Sequence, residues 1–277
     1  MKACTIGCFD GVHRGHLFLL QQLRALAEER GMQTLALTFR QHPAAVLGKP
    51  VPPQLCTLEE KERLLKEQVH EVDILDFTED MARLTAKEFM QRLRDEYGVN
   101  LLLLGYDHRF GRPTPDEDYE RDGRELNIEV LRAEALPGVS SSTIRKALLQ
   151  GDINTANEML GRPYTLSGTV VSGRQVGRSI GFPTANLSTP LLIPKTGVYA
   201  AETPFGSALV NIGHRPTLNN GDDISIETYI IGYEGDLYDQ SLSVSLLRRL
   251  RDEQAFPSLE ALRKQIEKDL KEMNEKC

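Results

Sequence analysis

The sequence predicts a two-part protein: an α/β domain built on a parallel sheet, then a smaller antiparallel β domain ending in a helix. Three observations carry this. In the first half, short apolar runs alternate with amphipathic helical patterns, the signature of a parallel sheet covered on both faces. From about Tyr164, glycine, proline and short strands of period two take over. From about Ser258, Leu259, Leu262, Ile266 and Leu270 recur at helical spacing as one apolar stripe, expected to pack on the β domain.

The elements follow in order. "ACTIGC", "TLALTF", "VDILDF", "NLLLLGYD" and "NIEVLRA" read as strands. "LLLL" at 101–104 is apolar on both faces, as a central parallel strand should be. "TLEEKERLLKEQV" opens with Thr57 and Glu60 in capping-box spacing, and "TAKEFMQRLRDEYG" repeats the device with Thr85 and Glu88 before Gly98 ends that helix. "SSSTIRKALLQG" and "INTANEMLGRPY" are helical, which puts the first domain at 1–150, a helical linker at 151–163 and the β domain at 164–277. In "DISIETYII", Ile224, Ile226, Thr228 and Ile230 share one face; Ser225, Glu227, Tyr229 and Ile231 share the other. In "SLSVSLL", serines alternate with Leu242, Val244 and Leu246.

Composition excludes several classes. With 277 residues, 40% hydrophobic and 26% charged, the chain is ordinary globular material, long enough for two modest domains. No apolar run approaches the length of a membrane span, and the N-terminus enters a strand too soon for a signal peptide. A cytoplasmic protein without a membrane partner is expected. A formal charge of -7 argues against a nucleic-acid coat. Cys4 and Cys8 suggest a zinc pair with His13 and His16. However, four strand residues span roughly 13 Å, and two thiolates on one zinc lie within about 4 Å. Structural thiols are the better reading.

The first chemical motif is "GCFDGVHRGH". A glycine-rich strand-to-helix turn exposes backbone N–H groups at a positive helix end, where anions bind. Gly7, Phe9, Asp10, Gly11 and Gly15 are its nucleotide-binding candidates, and Gly15 leaves room for close approach of a ligand. His13 and His16, at i and i+3, share a face. As zinc ligands they lack the HExxH glutamate and a third ligand. As mere helix-start residues they leave the glycines unexplained. A phosphate site accounts for both features, because imidazoles can donate to phosphate oxygens. No GxxxxGK occurs, so the turn is not a Walker loop.

"HRGH" resembles the HxGH signature of the nucleotidyltransferase superfamily. A second helix start at "SSSTIR" offers Ser141, Ser142 and Arg145, hydroxyls that cap and bind phosphate and a guanidinium that clamps it. Its plain alternative is an N-cap with a solvated arginine. Two such helix starts imply a nucleoside triphosphate held at both ends and an in-line attack at the α-phosphate.

The later motifs extend the resemblance. "SGTVVSGRQVGRSIGFPTANLS" carries Gly168, Gly173, Gly177 and Gly181 in a flexible, partly basic arc that runs into "PTAN", glycines that on their own read equally as ordinary hairpin turns. "PKTGVYA", "VNIGHRPT", "IETYIIGYEGDLYD" and "LLRRLRDEQAFPSLEALRKQI" follow. With "GCFDGVHRGH", "TFRQHP", "LGYDHRFG" and "SSSTIR", in this order, they resemble the prokaryotic bifunctional riboflavin kinase/FMN adenylyltransferases, also called FAD synthetases.

That resemblance implies a Rossmann-like nucleotidyltransferase domain followed by a small antiparallel β-barrel riboflavin kinase domain. It implies AMP transfer from ATP to FMN in the first and phosphorylation of riboflavin in the second. Mg²⁺ is the implied cofactor; riboflavin, FMN, FAD and ATP are the implied ligands; a monomer or weak homo-oligomer is expected. His13, His16 and Arg145 carry over to adenylyl transfer, His42 to a contact with the ATP phosphates and Asp107 to the lining of that site. Thr184 and Asn186 carry over to nucleotide phosphate and metal, Gly173, Gly177 and Gly181 to the nucleotide loop, and Glu227 to the base. Oxygen donors such as Thr and Asn do suit a hydrated Mg²⁺. On its residues alone, Glu227 reads more readily as a solvated strand carboxylate than as a base. Five positions depart from the family pattern: Gln41 for proline, Ser142 for threonine, Gly232–Tyr233 for an Asp-Phe pair, and Asp239 for glycine.

Overall fold

The alternating apolar runs of the first half form the expected parallel sheet. The computed structural model describes residues 1–106, 108–173, 177, 180–214 and 224–275. The chain divides into two compact units, Met1–Pro52 with Thr57–Ser140, and Pro53–Cys56 with Ser141–Cys277.

In the first unit the order is β1 (Lys2–Ile6), α1 (Arg14–Arg30), β2 (Gln33–Phe39), a 3-10 turn (Pro43–Ala45), α2 (Leu58–Lys66), β3 (Glu71–Leu75), α3 (Glu79–Arg83), α4 (Ala86–Tyr97), β4 (Val99–Leu104), α5 (Tyr119–Glu125) and β5 (Glu129–Arg132). The strands lie in the order β3-β2-β1-β4-β5, all parallel. Alternate residues of the central strands enter two separate cores. Cys4, Ile6, Leu102 and Leu104 pack with Met90 and Leu93 of α4; Ala3, Leu101 and Leu103 pack with Leu20 and Leu23 of α1. This is why the strands read as continuous apolar runs. Burial pushes the Cys4 thiol pKa well above its ordinary value, so it behaves as a core side chain. Leu102 is fully buried, and Leu102→Ala should cost about 2–5 kcal/mol, read as a lower denaturation midpoint.

The caps form largely as spaced. Thr57 accepts from the Glu60 amide, and Thr85 and Glu88 close a reciprocal box. Gly98 ends α4 at φ +69°, a conformation that disfavours any side chain. The strand ends differ from expectation: β1 stops at Ile6, so Cys8 lies outside it. Gly7 N still donates to Leu37 O, but Phe9 at φ +48° breaks the extended run.

In the second unit, α6 (Ser141–Gln150) and α7 (Ile153–Leu160) pack with the core of a barrel formed by β6 (Tyr164–Val171), β7 (Ala185–Ser188), β8 (Gly197–Thr203), β9 (Gly206–His214), β10 (Ile224–Ile230) and β11 (Ser241–Arg251). The barrel closes in the order β10-β7-β6-β11-β8-β9, antiparallel throughout. Ile226, Thr228, Ile230, Leu242, Val244 and Leu246 are buried, as period two requires.

The terminal α8 (Leu259–Glu275) is held differently from its apolar stripe. Leu262, Ile266 and Leu270 are half-buried, but Leu259 is exposed. Its most deeply buried residue among those described is Asp269, whose carboxylate takes Arg251 Nε at 3.0 Å and Nη2 at 2.8 Å. Arg248 of the same strand donates to Glu272 O and Met273 O. Removing one partner of a buried ion pair strands the other, so Asp269→Ala should cost about 3 kcal/mol, seen as earlier unfolding in denaturant.

Candidate functional site

In the first unit, the strand order reverses between β1 and β4: the chain builds outward through β2 and β3, then returns to add β4 and β5. In such sheets ligands bind beyond the strand carboxyl ends at that reversal. The segment leaving β1 there is Gly7–Val12, which delivers His13 and His16 to the start of α1.

His13 is the N-cap of α1, at φ -78° and ψ 171°. Its Nδ1 accepts from His16 N, and His16 Nδ1 accepts from His13 N, both at 3.3 Å. This is a capping box made from two imidazoles. The rings stack with centroids 3.6 Å apart, 16° from parallel. Because each Nδ1 accepts a backbone proton, each neutral ring carries its own proton on Nε2 and offers it as a donor. Burial, then His13, then Lys61 hold the His16 pKa well below the ordinary 6.5. His16 should therefore stay neutral at pH 6.5, where a free imidazole is half protonated; an NMR titration of the ring nitrogens checks this.

The residues around the pair serve it structurally. A Cβ on Gly15 would stand 3.1 Å from the His13 ring and 3.3 Å from Val139 O, so the missing side chain makes room for protein atoms. Phe9 is buried, with its ring edge-on to His16 at 5.2 Å. Phe9, Gly11 and Val12 all have positive φ, +48°, +81° and +37°. For a β-branched residue like Val12 this is a true outlier, of the kind that clusters at functional sites. Asp10 is half-buried in the same loop. Motif reading missed Lys61, which donates to Phe39 O at 2.7 Å and Cys8 O at 3.3 Å.

The other expected members are placed as follows. His42 caps the 3-10 turn after β2, its Nδ1 accepting from Ala44 N at 3.1 Å, at the carboxyl end of the strand beside β1. Asp107 lies outside the described residues. Ser141, Ser142 and Arg145 start α6 and belong to the second compact unit. There Arg145 Nε donates to Pro53 O at 2.8 Å.

The barrel brings a second set together by register. Glu227 on β10 stands directly opposite Asn186 on β7 and opposite Asn211 on β9. Thr184 immediately precedes β7. Directly opposed residues project from the same face with Cβ atoms about 5 Å apart, so a carboxylate and two amides share one surface. Asn211 went unnoticed in the sequence, because only the pairing of β9 with β10 places it there. The glycine arc is shaped around the same strand. A Cβ on Gly173 would fall inside the Asn186 amide, and one on Gly177 would overlap Phe182 O. Gly181 turns the chain at φ +86°.

Beside Thr184, a cavity of about 460 Å³ is lined by Val170, Ala185, Ile230, Leu237 and both hydroxyl and aromatic groups, among them Thr228 and Tyr233. Thr228 Oγ1 is buried there without a hydrogen-bond partner. Asp239 adopts φ +60°, so it keeps the backbone conformation that glycine takes most easily, and aspartate is one of the few residues to tolerate it. Among the described residues no group of three or more His, Cys, Asp or Glu side chains is placed to hold a metal.

Comparison with known proteins matches each half of the chain to its own family. The FAD synthetase family model matches residues 1–144 and the riboflavin kinase model residues 160–277. A bifunctional riboflavin kinase/FMN adenylyltransferase from Listeria monocytogenes is 35% identical, over 97% of this chain and 90% of the relative. The Escherichia coli K12 protein of the same name is 35% identical, over 96% and 89%. A crystal structure from Streptococcus pneumoniae, described as a macrolide-efflux protein, superposes with a TM-score of 0.85 at 30% identity, covering 99% of this chain and 94% of its own. Among the described residues here, no helix is long and apolar enough to cross a membrane. With near-complete relatives at this identity and a family model matching each half, the chain belongs to the bifunctional riboflavin kinase/FMN adenylyltransferase family.

Proposed function

We propose that the chain makes FAD from riboflavin in two ATP-dependent reactions at two sites. The observation that carries this is the register placing Glu227 against Asn186, beside Thr184, in a chain that also builds a stacked histidine pair at a sheet reversal. The assignment gives adenylyl transfer to 1–150, with 151–163 as a helical link, and riboflavin phosphorylation to 164–277.

In the barrel, the Glu227 carboxylate takes the proton of the ribityl hydroxyl as its oxygen attacks the γ-phosphorus of ATP, and ADP leaves. Thr184 and Asn186 are hard oxygen donors, and the space that Gly173 leaves keeps the Asn186 amide in place. They fit Mg²⁺ and would hold it together with the phosphates, where it would neutralise phosphate charge. In the first domain, a phosphate oxygen of FMN attacks the α-phosphorus and pyrophosphate leaves. The Nε2 protons of His13 and His16 are the donors for the charge that builds on the α-phosphate. His42 and Asp107 bind the remaining polar groups of the nucleotide. Gly7, Asp10 and Gly11 shape the loop over it. The ligands are riboflavin, FMN, FAD and ATP, without nucleic acid or membrane, in a cytoplasmic monomer or weak homo-oligomer.

Incubation with riboflavin, ATP and Mg²⁺ should yield both FMN and FAD; absence of both products sinks the kinase assignment. FMN supplied in place of riboflavin tests the first domain alone. Gly173→Ala should depress riboflavin phosphorylation by about tenfold or more, because the new methyl displaces Asn186, and should leave FAD formation from FMN intact.

A further inference from the structure

Lys61 lies outside the steps above, yet its ammonium is committed at the edge of the first sheet. It donates to Phe39 O at 2.7 Å and Cys8 O at 3.3 Å, and the Cys8 carbonyl also accepts from Thr38 Oγ1 at 3.2 Å. One carbonyl at the mouth of β1 is thus gripped by donors from α2 and β2. That carbonyl belongs to the peptide whose rotation defines φ of Phe9, held at +48°, a value a bulky side chain avoids. Relaxation of Phe9 to negative φ would swing the carbonyl away from both donors. The Phe9 ring backs His16 edge-on at 5.2 Å, and His16 stacks on His13 at 3.6 Å. Contact is therefore continuous from Lys61 to both imidazoles.

We infer that Lys61 is a positioning residue for adenylyl transfer: acting through the Cys8 carbonyl, it holds Phe9 in the left-handed conformation that backs the His13–His16 stack. The inference rests on the adenylyl-transfer reading of the first domain. An ammonium engaged by two main-chain carbonyls is placed to fix the loop. Strain held at Phe9 and Val12 needs such an external restraint to persist.

Lys61→Met keeps the stem and removes the charge. The kcat of FAD formation from FMN should fall at least about tenfold with the KM for ATP changed by less than about threefold. Riboflavin phosphorylation should be unchanged, and the ring-nitrogen NMR signals of His13 and His16 should move. Thr38→Val removes only the second donor and should move the same signals less. Full FAD formation by Lys61→Met overturns the inference. So does lost activity with unmoved histidine signals, which would make Lys61 a substrate contact. If Lys61→Met fails to fold, by circular dichroism, Thr38→Val decides alone: unmoved signals reject the linkage. If the parent protein makes no FAD from FMN, the functional reading fails instead, and the histidine signals still decide whether Lys61 sets their geometry.

Discussion

His16→Ala is expected to lower FAD formation from FMN by about 10²–10³-fold, the usual consequence of deleting one preorganised donor to developing charge. Riboflavin phosphorylation should proceed at the parent rate, because His16 and the barrel residues belong to different compact units. The substitution removes three things at once: the Nε2 donor, the stacking partner of His13, and the acceptor that satisfies His13 N. His16→Gln separates them. A glutamine three residues into a helix can reach back to the N-cap amide, so it restores the cap without the imidazole. It should recover the thermal stability lost in His16→Ala and none of the activity. Chromatographic separation of FMN and FAD, with a melting curve for each variant, reads both effects. Loss of both activities in a folded His16→Ala protein would falsify the two-site assignment.

Glu227→Gln should produce the mirror image. Removing a general base costs about 10²–10⁴-fold, so FMN formation from riboflavin should fall by that order, while FAD formation from supplied FMN stays intact. The amide is nearly isosteric, and the cross-strand pairs with Asn186 and Asn211 should survive. A fall in kcat with little change in KM for riboflavin is expected, since the proton is taken only as the bond forms. If FMN production persists at the parent rate, Glu227 is a solvated strand carboxylate and another group accepts the proton.

Much of this architecture is legible in the sequence because hydrophobic periodicity reports burial directly. The runs 101–104 and 242–246 announce a two-faced and a one-faced strand, and both are found as such. Thr85 with Glu88 predicts its own hydrogen bonds because both partners sit within one turn. The parts that do not read from sequence depend on distant main-chain atoms or on buried charge. Lys61 meets carbonyls 53 and 22 residues away, and nothing in "EEKERLL" distinguishes it from a solvated helix lysine. Asp269 breaks the apolar stripe of the last helix, yet it is the residue that helix buries most deeply among those described. The glycines at 173 and 177 are visible as a pattern, but their reason is not. They make room for Asn186 and Phe182, which the chain reaches only after turning back on itself.

The barrel ladder has a consequence for how this enzyme can be altered. Because side chains alternate along β10, Glu227 and its core neighbours Ile226 and Thr228 exchange places if the strand slides by a single residue. One inserted residue upstream within β10 would bury a carboxylate and expose a threonine, abolishing the proposed base and the barrel together. Two inserted residues would restore the parity while carrying the carboxylate one pair along, away from Asn186. The position proposed for the base is thus tied to an integer count of residues, and loop insertions outside the strand are the changes this half of the protein can absorb.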